Sequence, residues 1–446
     1  MMSTQAASTP AETSDGLPLP SPVQPDPLSL GDVIRIAPMR RMWYAQIVSV
    51  FGDFLALFAV ISVMTFKLAA TPQQITGVQI AYLLPIAVLG IISGVFVDRW
   101  PLKPTMVASD LIRAALCLLL LLVHSVWGFY GVLAAISIVS SFFSPAQGVA
   151  IRSLVPFHGL RSANVLLQQA FFIMRIVGPS AAAFLVANLG AKSCYLIDCV
   201  SFVLSASFIS SIALKVSAKT PATGTQTGTE AASETKGIAR IWTDMQAGTS
   251  FIVHHAALLF VIVALAAGMF VMGCFGPLVA IYVRDNLHAS TRTFGIVSAM
   301  IGLGLLVGVN GLNIFAKRTK ESVLVYLGLG GIASGTLLMA LFPHLAFALL
   351  GSFLVGFSAA GIIVPSQTLI QQETPPELMG RVGSTVMSAI FTAQIGGLLL
   401  SGILAEFTSV RRVFALCTAI LVVLMIAGKL WMEPKPRDPV PTAAAV

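Results

Sequence analysis

Apolar residues run along this chain in blocks of about twenty, separated by short polar breaks. A block of that length makes a helix that crosses the roughly 30 Å apolar core of a bilayer. The blocks predict spans near 43–66, 76–97, 104–124, 128–150, 165–188 and 193–215, then near 257–281, 293–315, 322–342, 345–370, 382–405 and 412–432. Two tracts break the pattern. Residues 1–34 are rich in Pro, Ser, Thr and Ala and lack the basic start and apolar stretch of a signal peptide, so they read as a disordered tail. Residues 216–250 are the longest hydrophilic stretch. They hold a low-complexity linker, "SAKTPATGTQTGTEAASETKG", and then "IARIWTDMQAGTSFIVHH", an amphipathic segment expected to lie at the interface as it enters the seventh span. The expected organisation is a tail (1–34), a six-helix bundle (35–215), a linker (216–250), a second six-helix bundle (251–432) and a short tail (433–446).

Composition makes the membrane reading firm. Hydrophobic residues are 57% of the 446 and charged residues 10%, against about 45–50% and 25% in soluble domains. The net charge of +8 is informative through its placement. Nineteen Lys and Arg fall on the side of the N-tail, the even-to-odd loops and the C-tail, six fall on the other side, and Arg175 falls inside a span. The positive-inside rule then puts both termini in the cytoplasm of a multi-pass protein of the cell membrane. No stripe of Lys and Arg interleaved with aromatics suggests nucleic acid. The five cysteines all sit in apolar runs and read as small buried hydrophobes, with no metal site and no disulfide expected. No G-x-x-x-x-G-K-[ST], H-E-x-x-H or G-x-S-x-G occurs. Direct ATP coupling, zinc chemistry and a serine hydrolase therefore lack their residues; no cofactor and no enzymatic activity are expected.

The chain also repeats itself. "SPAQGVAIRSLVPFHGLRSANVLL" (144–167) aligns without gaps on "VPSQTLIQQETPPELMGRVGSTVM" (364–387), matching Pro145 with Pro365, Gln147 with Gln367, Pro156 with Pro376 and Arg161 with Arg381. Each copy ends one span and begins the next, as expected of two parallel halves with a site between them.

The break "GVFVDRWPLK" resembles the signature loop of the major facilitator superfamily, G-x-x-x-D-R-x-G-R-[RK], with Pro101 where Gly is usual. "RIVGPSAAAFL" resembles the Gly-Pro motif of its exporters at Gly178 and Pro179, with Ala181 and Ala182 in place of glycines. "VSVFGDFLALFAV", "FFSPAQGVAIRSLVP" and "LRSANVLLQQ" resemble the branch that holds macrolide efflux proteins and the enterobactin exporter, a pattern shared with lysophospholipid transporters. The resemblance implies an all-α membrane protein with twelve transmembrane helices in two pseudo-symmetric six-helix bundles. It implies proton-coupled export of small amphiphilic compounds by alternating access, carried out by a monomer whose partners are substrate, protons and membrane lipids. Lysophospholipid or siderophore movement is the alternative; a membrane-embedded lipid enzyme and a non-transporting sensor are the remaining classes.

Ionisable residues inside a membrane are costly and are functional candidates by default. Asp53 in the first span and Arg175 in the fifth lie at similar depths, and the superfamily fold makes those helices neighbours, so the two are expected to approach each other. The pair is either a titrating site for proton coupling or a permanent ion pair. Asp198 is expected to pair with Lys192 or to face another helix, in a structural role. Gly94, Asp98, Arg99 and Lys103 form the expected cytoplasmic gate, with Asp98 facing the start of the eleventh span near Gly380. Asp110 and Arg113, three apart on one helix face, are expected to brace it. Gln367 and Gln394 are candidates to line the cavity, and Gly276 and Pro277 mark a bend suited to a gate.

Overall fold

The computed structural model describes residues 28–97, 100–213, 249–315, 319–375 and 378–432, and every regular element among them is a helix. A short helix, Leu30–Arg35, leads. It opens on a capping box in which the Ser29 hydroxyl accepts from the Asp32 N–H and the Asp32 carboxylate accepts from the Ser29 N–H. Hydrogen bonds from the Ser29 hydroxyl and backbone, with Arg35 nearby, hold the Asp32 carboxyl below the usual range. The long helices follow: α1 Ala37–Phe66, α2 Pro72–Val97, α3 Leu102–Leu119 and α4 Val126–Leu154. Leu160–Ser210 is one run broken at Gly190 into arms α5 (160–189) and α6 (191–210). Then come α7 Ala256–Asp285, α8 Thr291–Phe315, α9 Glu321–Leu341, α10 Leu345–Glu373, α11 Met379–Phe407 and α12 Val410–Ala427.

Nine described segments are by themselves long and apolar enough to cross a membrane. With α2, α3 and α5 the membrane-length helices number twelve among the described residues. The weakest apolar signal belongs to α3, which carries Lys103, Asp110 and Arg113 in eighteen residues.

Spans five and six differ from expectation. The pattern predicts a loop over 189–192, and the structure has one residue there. Gly190 adopts φ 78° and ψ 164°, a region open almost only to glycine. The chain reverses at that point. Trp43 and Phe54 of α1 meet Leu166 and Gly178 of α5, so α5 runs alongside α1. Arg41 and Gly52 meet Ser211 and Asp198, so α6 runs back.

Odd-numbered helices thus start at the end of the bundle where residues 28 and 432 lie, here the near end, and finish at the far end. In the first half α1 packs on α5 and α6, α2 on α4, and α3 on α4 and α6; in the second α7 packs on α11, α8 on α10, and α9 on α10 and α12. Gly304 and Gly308 let α8 press against the α10 backbone at Phe353 and Phe357, the close approach that small residues permit inside a bilayer. Two seams join the halves: α2 on α11, and the α5–α6 run on α8. All five cysteines are free, four of them buried and Cys199 half-buried. The amphipathic segment expected before the seventh span lies mostly outside the described residues.

Candidate functional site

A cavity of about 690 Å³ lies at mid-height between the halves. Val50, Asp53, Phe54 and Leu57 of α1, Gln79, Tyr82, Leu83 and Ile86 of α2, Phe171 of α5, and Ser388, Phe391, Thr392, Gln394 and Ile395 of α11 line it. Three phenylalanines and five aliphatic side chains make most of the wall. Among these lining residues Asp53 is the one carboxylate, and none is Lys or Arg. Asp53 is half-buried near the middle of α1, with the Tyr82 side chain beside it on the cavity wall. Gln79, Gln394, Ser388 and Thr392 add neutral polar groups. This is the usual make-up of a small-molecule site, apolar walls with a few polar groups that fix orientation.

Behind Asp53 a polar network fills the interior of the first half. On α3, Asp110, Arg113 and Cys117 step three and then four residues along one face; on α6, Asp198, Ser201 and Ser205 step the same way. The two helices run antiparallel, so the faces meet. The Arg113 Nη2 donates to Asp110 Oδ1, both side chains buried. The Ser205 hydroxyl donates to Asp110 Oδ2 at 2.7 Å, and the Cys117 thiol donates to Asp198 Oδ2 at 2.9 Å. The Arg113 guanidinium lies between the Phe143 and Phe202 rings, 4.7 and 4.4 Å from their centroids, where ring quadrupoles offset part of its desolvation. Its Nε has no hydrogen-bond partner among the described residues. Gly52, beside Asp53, touches Asp198 and Ser201 so closely that a Cβ would collide with both. Asp53, Asp110 and Asp198 therefore share one interior with a single described guanidinium, and Arg113 and Asp110 act electrostatically on Asp53.

Beyond the cavity the far end is sealed across both seams. Phe58 of α1 stacks on Phe294 of α8 with centroids 4.5 Å apart and planes 6° from parallel, and Phe66 approaches the same ring at 6.1 Å. Arg284, at the end of α7, donates to the carbonyls of Thr65 at 3.2 Å and Ala70 at 2.7 Å. A Cβ on Gly295 would lie 2.7 Å from that of Ala183. On the other seam, Thr71 donates to Glu406 at 3.4 Å, and Gly402 faces Thr76 and Gln73 with no room for a side chain.

Two predictions follow from the seal's geometry. Arg284→Gln removes a charge-assisted pair of bonds and is expected to weaken far-end closure by about 1.5–3 kcal/mol. Gly402→Leu is expected to hold α2 and α11 apart. Spin labels on cysteines placed at Leu122 and His344, exposed at the far end of opposite halves, read both effects as a longer distance distribution. An unchanged distribution contradicts the assignment of these residues to the gate.

The sequence candidates are placed as follows. Asp53 and Gln394 line the cavity. The Arg175 and Pro179 side chains lie outside the described residues, as do Asp98 and Arg99, so the expected contact of Asp98 near Gly380 is not described. Gly94 lies within the last turn of α2 and Lys103 in the first turn of α3. Asp110 and Arg113 sit well inside α3, buried against α6 rather than at the loop. Asp198 faces α3 and α1, while Lys192 is exposed. Gly178 packs on Phe54, its would-be Cβ 2.8 Å from the Phe54 Cβ, and so helps to position a cavity wall. Gln367 is half-buried in α10 and is not part of that wall. Gly276 lies across from Gln79, and Pro277 is buried within α7, which runs unbroken. Sequence reasoning missed Tyr82, Phe54, Phe171 and Phe391 as wall residues and Arg284 as a gate. The matched three-and-four steps of "DLIRAALC" and "DCVSFVLS" were a signal available for the network.

Comparison with known proteins fits this geometry. The sequence profile of the Major Facilitator Superfamily matches residues 42–397 and 270–445. YfiS, an MFS-type transporter of Bacillus subtilis (strain 168), is 27% identical over 395 residues, 85% of this chain and 89% of the relative. Macrolide efflux protein A of Streptococcus pyogenes is 25% identical over 407 residues, 89% of this chain and 96% of the relative. Among solved structures, the nucleoside transporter NupG superposes with a TM-score of 0.64 at 15% identity, covering 89% of this chain and 100% of NupG; that likeness concerns the fold.

Proposed function

The chain belongs to the Major Facilitator Superfamily, and from that membership we propose that it exports lipophilic, positively charged small molecules in exchange for protons. Membership makes it a membrane transporter rather than an enzyme. The finer reading rests on one observation: a mid-height cavity of aromatic and aliphatic walls in which Asp53 is the one carboxylate among the described lining residues. A cationic amphiphile finds there a hydrophobic surface, ring faces and one counter-charge. A catecholate siderophore, an anion, finds no cation among the lining residues. The similarity to macrolide efflux protein A supports a drug-like cargo.

In this reading the near end faces the cytoplasm and the described state, closed at the far end, receives substrate. Among the described side chains three carboxylates face one guanidinium, an excess of negative charge that is costly away from water. A proton on the cluster relieves that cost, and a bound cation relieves it equally. Substrate arriving at Asp53 therefore displaces a proton. The halves then rock about the cavity, breaking the Phe58–Phe294 stack and the Arg284 bonds, and a proton from the far side takes the place of the leaving substrate.

Proteoliposomes under an imposed pH gradient test the reading, with a macrolide, a lipophilic phosphonium, a lysophospholipid and a catecholate siderophore as probes. Gradient-dependent movement of the first two is expected. Movement of the lysophospholipid or the siderophore alone would replace the substrate assignment, and movement of none would overturn the coupling.

A further inference from the structure

A second cavity, of about 290 Å³, lies at the far end where α1 finishes, the α5–α6 run breaks and α8 begins. Lys67 and Arg292 line it, and neither forms an ion pair among the described residues. Thr291 places the first turn of α8 at its wall, with the positive end of that 25-residue helix. Gly190 leaves its floor open: a Cβ there meets nothing within 4 Å. Ser62 is the independent sign of a ligand. It is 3% exposed and lines the cavity, yet its hydroxyl makes no hydrogen bond among the described residues. The side chain is buried on the protein side, and its hydroxyl sits at the cavity with two exposed cations that form no ion pair among the described residues and with a helix N-terminus.

We propose that this cavity binds a phosphate group, held by Lys67, Arg292, the Ser62 hydroxyl and the leading N–H groups of α8, and that the bound group keeps the far end shut. Arg and Lys both suit phosphate oxygens, Arg by a two-pronged contact and Lys as a point charge. The ends of α1 and α8 put the cavity at the membrane surface, level with phospholipid headgroups. The same chemistry serves an anionic headgroup from the bilayer or inorganic phosphate from water. Ser62, Lys67 and Gly190 belong to the first half of the chain, and Thr291 and Arg292 to the second. The complete site therefore exists only when the halves meet at the far end, and a ligand favours the state that builds its site.

The full-length protein in neutral detergent micelles, spin-labelled at Leu122 and His344, tests this. Phosphatidylglycerol, phosphatidylcholine and inorganic phosphate are each added, with chloride at matched ionic strength as reference. The population with the short far-end distance is expected to rise severalfold with phosphatidylglycerol or with phosphate. A response to phosphatidylglycerol alone assigns the site to a lipid headgroup, and a response to phosphate alone assigns it to the free ion. The rise is expected to vanish in Lys67→Gln/Arg292→Gln and to survive in Lys67→Arg/Arg292→Lys, which also shows that the altered chain folds. No rise with either anion, an equal rise with phosphatidylcholine, or a rise that persists in Lys67→Gln/Arg292→Gln overturns the proposal.

Discussion

Asp53→Asn is expected to give a folded, membrane-inserted protein whose transport no longer follows a pH gradient. Asn has nearly the shape of Asp and keeps a hydrogen-bonding group toward Tyr82, and the position is half-buried at a cavity wall rather than locked in the core. Folding therefore has little to lose. Function loses the one carboxylate among the described lining residues of the cavity, and with it both the proton carrier and the counter-charge. A hydrogen bond or contact to a charged group contributes about 1.5–3 kcal/mol, so binding of a lipophilic cation is expected to weaken by roughly ten- to a hundredfold. Binding of an uncharged amphiphile of similar size is expected to stay within about threefold, since the apolar wall is intact. Gradient-driven accumulation in proteoliposomes is expected to fall to the level of protein-free vesicles, with partial recovery in Asp53→Glu. Undiminished accumulation by Asp53→Asn would remove Asp53 from the coupling step.

The largest loss of stability is expected from Arg113→Leu. Its guanidinium is the one described cation inside the first half, bonded to Asp110 and enclosed between Phe143 and Phe202. Removing one partner of a buried pair leaves the other charge uncompensated and costs about 3–5 kcal/mol. Asp110 would be left with the Ser205 hydroxyl, while Asp53 and Asp198 would lose their nearest described cation. A lower thermal midpoint and a poor yield of monodisperse protein are the expected readouts. The paired change Arg113→Leu/Asp110→Asn is expected to recover most of the loss, because it removes both charges together. Arg113→Lys is expected to fall between, since a lysine keeps the charge but lacks the planar group that lies between two rings. A wild-type midpoint in Arg113→Leu would mean that this network does not hold α3 against α6.

What the chain declares about itself follows from the range of the physics involved. Membrane-length apolar blocks announce each helix locally, and a lone acid in such a block, as at Asp53, stands out because the bilayer penalises it. Helix rotation is a different matter. Gln367 and Gln394 are the same residue type in neighbouring spans, and only Gln394 reaches the cavity, because packing against other helices decides which face turns inward. Asp110 and Arg113 declare a shared face by their spacing, but their burial depends on Ser205 and Phe202 nearly a hundred positions away. Arg284 looks like an interfacial charge. Its partners are main-chain carbonyls at Thr65 and Ala70, and no side-chain pattern marks those. The reversal at Gly190 needed only one residue, where a loop is the ordinary expectation.

Proton release on substrate binding tests the central claim most directly. Purified protein in weakly buffered detergent solution, with a pH-sensitive dye, is mixed with a lipophilic phosphonium, which carries no proton of its own. The account predicts a proton released into solution by the wild-type protein and none by Asp53→Asn. Saturable binding of the phosphonium to the wild-type protein with no proton released would contradict it.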